Sequence, residues 1–296
     1  MTSPVADRLA GVSTLDAALS VATAVLVDAG VPTPAVDAEL LLAHATGLAR
    51  GVLLARVVTG AAIDADTKEA LVASIARRAS REPLQHITGL AYFRSLTLHV
   101  GPGVFVPRPE TEGVAQLAID ALRSVSAPRP LAIDLGTGSG ALALAMGTEV
   151  PHARVVAVEL SPDAARWTRT NIDAVGAVNV ELVEGDMATA LPELDGLVDV
   201  VATNPPYIPE GMVPRDPEVR LHDPALALYG GDDGLVLVRS ISRRAQRLLR
   251  PGGFLVIEHG EGQGADIRDI LTGDGWRSAE THPDLTGRDR ATSAVR

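Results

Sequence analysis

The sequence predicts an α/β protein: a doubly wound, mostly parallel seven-stranded sheet, preceded by a small all-helical domain. Three observations predict it. From about Arg108 onward, short apolar runs alternate with helical periodicity, the pattern of a parallel sheet covered on both faces. A Gly-rich run, Asp134 to Gly140, joins the first of those strands to its helix, and an acidic residue, Glu159, ends the next strand. The first eighty or so residues carry helical spacing and no strand signal.

The elements follow in order. Thr14 to Ala29 reads as a helix, with Ser13 or Thr14 as its cap and Gly30 as its stop. Pro34 to Ala45 reads as a second, ended by Gly47. Asp64 to Ser80 reads as another, with Arg77, Arg78 and Arg81 suiting the negative end of its dipole. Pro83 closes this domain, so its boundaries are residues 1–83. Residues 84–107 change character: Thr97 to Val100 and Val104 to Val106 flank Gly101-Pro102-Gly103 and predict a hairpin-like linker. Residues 108–296 then form the α/β domain. Its predicted helices are Glu110 to Val125, one from Ala141, Pro162 to Val175, and Leu235 to Leu249. Its predicted strands are Leu131 to Leu135, Val155 to Glu159, Val180 to Val183, Val198 to Thr203 and Phe254 to Glu258, with a last helix and two strands at the end.

Composition narrows the function. Hydrophobic residues make up 46% and charged residues 21% of 296, an ordinary globular balance, while 3% aromatics imply an aliphatic core. The chain has no cysteine, which excludes thiolate metal sites and a cysteine nucleophile and fits a cytoplasmic location. No amino-terminal basic and apolar leader is evident, and no apolar run approaches the ~20 residues of a membrane span. The net charge of −11 weighs against nucleic acid as a partner and for a basic protein surface. His86, His222 and His259 lack metal-ligand spacing and read as surface or core histidines.

The Gly-rich turn comprises Gly136, Thr137, Gly138, Ser139 and Gly140. Without Cβ atoms its backbone can lie against a nucleoside, and a carboxylate at Glu159 can accept from both ribose hydroxyls. The same residues fit a dinucleotide fingerprint, so a nicotinamide cofactor stays open at this point. Asp186 can accept from an adenine amine and Met187 can cover the ring, although Asp186 also reads as a turn cap.

Asn204-Pro205-Pro206-Tyr207 follows the fourth sheet strand. Two prolines cannot continue a ladder, so the chain leaves the strand on a stiff extended path. Read blandly, this is a strand terminator. Chemically, the Asn204 side-chain oxygen and the Pro205 carbonyl can both accept from one –NH2 group, orienting a weakly nucleophilic nitrogen towards a sulfonium methyl. Tyr207 can pack on the flat face of the group that carries it.

With these residues in place, the chain resembles S-adenosylmethionine-dependent methyltransferases, and more narrowly the HemK/PrmC-type family. That family methylates the side-chain amide nitrogen of a glutamine, in a GGQ-type loop, of peptide chain release factors. The resemblance is carried by Pro83 to Gly89, Val106-Pro107-Arg108-Pro109-Glu110-Thr111-Glu112, Gly230 to Gly234, Pro251-Gly252-Gly253 with Glu258, and Asp284 to Arg290, in family order. It implies S-adenosylmethionine held by Gly136 to Gly140, Glu159, Asp186, Met187 and Asn204. It further implies a glutamine cradled by Asn204, Pro205, Pro206 and Tyr207, and catalysis through Asn204, Pro205 and Tyr207. Release factors are then the protein partner, with the helical domain recognising them, and a monomer is favoured. Glu159 stands where the family more often has Asp, Met187 where an aromatic is common, and Arg94 where Gly is frequent. The rivals are an adenine or guanine amino-methyltransferase on nucleic acid, and a non-catalytic cofactor-binding protein.

Overall fold

The computed structural model describes residues 4–296. Six helices come first: α1 (Pro4–Leu9), α2 (Leu15–Asp28), α3 (Pro34–Thr46), α4 (Arg50–Val58), α5 (Ala65–Ala79) and α6 (Leu84–Thr88). A hairpin, β1 (Leu90–Phe93) and β2 (Leu96–His99), precedes α7 (Thr111–Ser124). There follow β3 (Leu131–Leu135), α8 (Ala141–Glu149), β4 (Arg154–Glu159), α9 (Pro162–Val175), β5 (Val180–Glu184) and β6 (Val198–Thr203). The chain ends with α10 (Pro217–His222), α11 (Val236–Leu248), β7 (Leu249–Glu258), α12 (Gly264–Gly273), β8 (Arg277–Pro283) and β9 (Asp289–Val295).

The chain divides into two compact units. One holds the residues up to Gly89 together with Pro214–His222; the other holds Leu90–Val213 and Asp223–Arg296. In the helical unit, Leu26, Leu41, Leu42, Leu53, Leu71 and Ile75 are fully buried in one apolar cluster. Arg78 was expected simply to complement a helix dipole. It is instead buried, with Asp37 at 2.6 Å and Glu218 at 2.8 Å. Two carboxylates about one guanidinium keep the charge paired where water is excluded, and they bring α10 into this unit.

In the second unit the seven strands run β5-β4-β3-β6-β7-β9-β8. The five from β5 to β7 are parallel, and β9 is antiparallel to both its neighbours. The doubly wound expectation therefore holds. The pleat explains the two cores. Ala132, Val155, Ala157, Val200 and Ala202 face Val114, Ile119, Leu122 and the Ala-rich α8. Ile133, Val156, Val158, Val201 and Leu255 face Val238, Ile241, Leu248 and Ile267.

The hairpin lies elsewhere than the sequence suggested. Phe93 pairs with Leu96, so Arg94-Ser95 is the turn, and Val104 to Val106 form no strand. The Gly101-Pro102-Gly103 run serves close packing instead: a Cβ on Gly101 would stand 2.5 Å from the Trp167 ring, whose Nε1 donates to the Pro102 carbonyl at 3.2 Å. Arg94 itself adopts φ +53°, a left-handed conformation that disfavours side chains. Its contacts offset this: its N–H donates to Glu112 at 2.8 Å, and its guanidinium reaches Gln116 and Glu149.

Candidate active site

From β3 the chain winds outward through β4 and β5, then crosses to β6 and winds the other way to β7. The switch point lies between β3 and β6, and ligands of such sheets bind at the carboxyl ends there. Asp134 pairs with Ala202, so the Gly-rich turn and Asn204 leave neighbouring strands at the same level. Thr203 locks this alignment, its hydroxyl donating to the Leu135 carbonyl at 2.6 Å.

The turn takes φ of +76°, +60° and +88° at Gly136, Gly138 and Gly140, which only glycine adopts without strain. The amides of Gly136 and Thr137 both donate to the Val158 carbonyl at 2.9 Å. Glu159, nearly buried, accepts from Gly138 N on one oxygen and from Ser161 N on the other, each at 2.8 Å. Each carboxylate oxygen keeps a lone pair for a further donor. Apart from its chain neighbours, no described residue has an atom within 4 Å of where a Cβ on Gly138 would stand, so a ligand can approach the backbone there.

Three braces of the turn escaped the sequence reading as functional residues. Asp134 accepts from Thr137 Oγ1 at 2.6 Å and from Ala143 N at 3.1 Å. Burial pushes its carboxyl up to about 7, against the pull of those two bonds, and its Oδ1 has no partner among the described residues. Thr168 donates to the Gly138 carbonyl at 2.6 Å, and Asn171 donates to that of Ser139 at 2.9 Å. The available signal was two polar residues, three apart, on the inward face of α9. These residues fit S-adenosylmethionine: an open glycine backbone and an acceptor suit the ribose. A buried, unpartnered carboxylate oxygen suits a ligand carrying positive charge.

Met187 extends over Gly136, its Cε 2.9 Å from the position of a Cβ there. Asp186 is exposed and caps its own turn, accepting from Ala188 N at 2.8 Å.

The Asn-Pro-Pro-Tyr segment is braced on its backbone. Gln263 Nε2 donates to the Tyr207 carbonyl at 3.0 Å, and Gln263 Oε1 accepts from Gly260 N at 2.9 Å. Ile208 and Tyr229 form a parallel bridge, with Ile208 N donating to Leu228 and Gly230 N to Ile208, both at 2.9 Å. A Cβ on Gly230 would meet the Pro206 carbonyl at 2.4 Å, and one on Gly234 the Tyr207 carbonyl at 2.3 Å. Pro205 is buried, whereas Asn204, Pro206 and Tyr207 are half-buried. Desolvation, then the negative charge of Glu258, holds the Tyr207 phenol above its ordinary value. Asn204 Nδ2 donates to Thr111 Oγ1 at 3.4 Å. His259 is a core histidine, bonded to Gly260 and Thr292, and burial depresses its pKa. No group of three or more metal-ligating side chains occurs among the described residues.

Residues 132–211 match a methyltransferase domain model, and residues 17–89 match the PrmC N-terminal domain. A methyltransferase structure from Pyrococcus furiosus shares the fold, at TM-score 0.50 and 20% identity over 68% of this chain and 89% of that one. The class is thus the S-adenosylmethionine-dependent methyltransferases. The release factor glutamine methyltransferase of Streptomyces coelicolor is 53% identical over 92% of this chain and 95% of its own length. That of Bifidobacterium longum is 45% identical over 93% and 97%. A 4-amino-L-phenylalanine/4-methylamino-L-phenylalanine methyltransferase of Streptomyces pristinaespiralis is 41% identical over 97% of both chains. The chain belongs to the release factor glutamine methyltransferase family.

Proposed function

We propose that the chain transfers the methyl group of S-adenosylmethionine to the side-chain amide nitrogen of a glutamine in a peptide chain release factor. The observation that carries this is Asn204-Pro205-Pro206-Tyr207 beside the Gly-rich turn at the switch point of the sheet. Gly136 to Gly140 and Glu159 hold the adenosine, with Met187 and Asp186 at the base. Asn204 Oδ1 and the Pro205 carbonyl accept the two amide hydrogens, and Tyr207 packs on the amide plane. The nitrogen forms a bond to the methyl carbon as the carbon–sulfur bond breaks, and that bonding pair stays on sulfur. The methylated nitrogen then loses one proton to water. The helical unit recognises the protein substrate, since the pocket reads one side chain, and the enzyme works in the cytoplasm. No single helix among the described residues is long and apolar enough to cross a membrane.

Labelled S-adenosylmethionine tests this with a release factor, the same factor with its target Gln changed, nucleic acid, and 4-amino-L-phenylalanine. Label should appear on the intact factor alone. Label on nucleic acid or on the free amine, or label that survives loss of the Gln, overturns the assignment.

Protons should accompany cofactor binding. A cationic ligand near Asp134 favours the carboxylate, and that carboxyl titrates at about 7 in the free protein. Binding at pH 7 should release roughly half a proton, fading towards zero by about pH 8.5. Calorimetry in buffers of different ionisation heat measures it, and release unchanged in Asp134→Asn would refute the assignment to this group. The folded values of Asp134 and Glu258 are both raised to about 7. The native state therefore binds more protons than the unfolded one between roughly pH 4 and 7, and stability falls with rising pH. The Tm of the ligand-free protein should drop as pH rises through 7.

A further inference from the structure

Residues 208–229 form a closed loop directly after the Asn-Pro-Pro-Tyr segment, with Ile208 and Tyr229 bridged at its feet. Loops of this length in compact domains usually serve a function, and the chemistry above uses none of this one. Its head leaves the second unit. Pro214–His222 belong to the helical unit, so the chain crosses between units at Val213–Pro214 and at His222–Asp223, besides the crossing at Gly89–Leu90. Asp223 receives the returning chain. Its side chain is fully buried and accepts from Arg108 Nη2 at 3.0 Å, and the Arg108 guanidinium lies 4.9 Å over the Phe105 ring.

The head is α10, six residues long, none of them buried. A helix this short does not persist on its own hydrogen bonds, and it has no buried apolar face to hold it. Its attachment is by charge. Glu218 Oε1 lies 2.8 Å from Arg78 Nη2, and 2.9 and 3.0 Å from Arg81 Nη2 and Nε. If Glu218 left, Arg78 would keep Asp37 at 2.6 Å and the Glu82 carbonyl at 2.9 Å. The attachment can therefore open without orphaning a buried guanidinium.

Arg81 carries a second observation. It closes α5: its N–H donates to the Arg78 carbonyl, and that of Glu82 donates to the Arg77 carbonyl. Glycine is the usual residue at this place in such a helix end, yet Arg81 sits there at φ +69°. The strained backbone is matched by what the side chain reaches, Glu218 and the Gly30 carbonyl at 3.0 Å.

We propose that Arg78, Arg81 and Glu218 form a clip that positions the protein substrate by holding the head of this loop in the helical unit. The inference rests on that unit recognising the release factor. A release factor held there delivers its glutamine to the pocket as an intramolecular step, at an effective concentration set by the free chain between the two binding elements. With α10 seated, the units are joined by three short crossings instead of one, and the feet of the same loop adjoin Tyr207. A short peptide engages the pocket alone and is indifferent to the clip.

The test compares wild type with Glu218→Gln, Arg81→Gly and the double variant. Arg81→Gly guards against a merely structural effect, because glycine relieves the left-handed strain; its Tm should stay within about 3 °C of wild type. Each single variant should raise KM for the release factor about tenfold and leave kcat within about threefold. On a short peptide containing the Gly-Gly-Gln run, kcat/KM should stay within about twofold. The double variant should be no worse than the worse single one. Trypsin should cut after the exposed Arg220 at least about fivefold faster in each variant. The proposal is overturned by an unchanged KM for the release factor, by unchanged cleavage after Arg220, or by losses on the peptide that match those on the protein. A wild-type enzyme that uses the peptide as well as the release factor would remove the recognition reading itself. A wild-type preference for the release factor that survives in both single variants would remove only the clip.

Discussion

Replacing Asn204 by Ala should lower kcat by at least about a hundredfold, the loss expected when a preorganised polar group aimed at developing charge is removed. The nitrogen of an amide is a poor nucleophile because its lone pair is shared with the carbonyl. Acceptors that hold both of its hydrogens concentrate positive charge there as the methyl arrives, and water in an alanine cavity cannot hold that geometry. Stability should change little. Asn204 is half-buried, and its one side-chain bond, to Thr111, is 3.4 Å long. Asn204→Asp separates geometry from charge. It keeps an acceptor, loses the amide hydrogens that face Thr111 Oγ1, and sets a carboxylate beside Glu258 on the neighbouring strand. It should be as inactive as the alanine variant. Single-turnover transfer to a release factor, with unfolding followed by circular dichroism, measures both quantities. Wild-type turnover in Asn204→Ala would end the assignment.

Most of the fold was legible because it rests on patterns that one sequence carries. Short apolar runs at Leu131 to Leu135 and Val155 to Glu159 marked buried strands, and the Gly-rich run marked the strand-to-helix turn. What failed had a physical reason. Gly101 and Gly103 looked like turn residues, but glycine serves close approach as well as turning, and only the packed Trp167 ring shows which. The true hairpin turns at Arg94, a residue with no turn propensity, held by contacts to Glu112, Gln116 and Glu149. The helix α4 went unread, and α10, which follows the Asn-Pro-Pro-Tyr segment by sequence, falls with the helical unit through Glu218. Such long-range ion pairs leave no local signature.

The candidate site divides in the same way. Residues offered to ligand from loops, Asn204 and the glycines, were readable because their residue types break the surrounding pattern. Of those that hold the loops, Asp134, Thr168 and Asn171 sit within a strand and a helix whose periodicity they do not disturb, and Gln263 sits in the short loop ahead of α12. The nitrogen chemistry follows from hydrogen-bonding capacity. The choice of glutamine over an aromatic amine follows from kinship, and the 41% identity to an enzyme named for aromatic amines shows how little of the framework that choice requires.

Gly234→Ala should be the most disruptive small substitution in the second unit. Its Cβ would stand 2.3 Å from the Tyr207 carbonyl oxygen and 2.9 Å from Gln263 Nε2, the group that donates to that oxygen. Its φ of +74° adds strain that an alanine cannot relieve. Neither neighbour is the loose end of a flexible chain: one is backbone, and the other is anchored at both of its polar atoms. The segment must therefore move, at a cost of about 2–4 kcal/mol from overlap and left-handed strain together. The movement passes directly into Pro206 and Tyr207, so kcat should fall even in the folded fraction. Gly262→Ala is the matched control, with no atom within 4 Å of its Cβ and no left-handed φ, and should stay within about 0.5 kcal/mol of wild type. Urea unfolding distinguishes them. If the two variants share a midpoint, the glycine run does not brace Tyr207. If Gly234→Ala is destabilised but keeps its kcat, the position of the Tyr207 backbone is not part of the catalytic geometry.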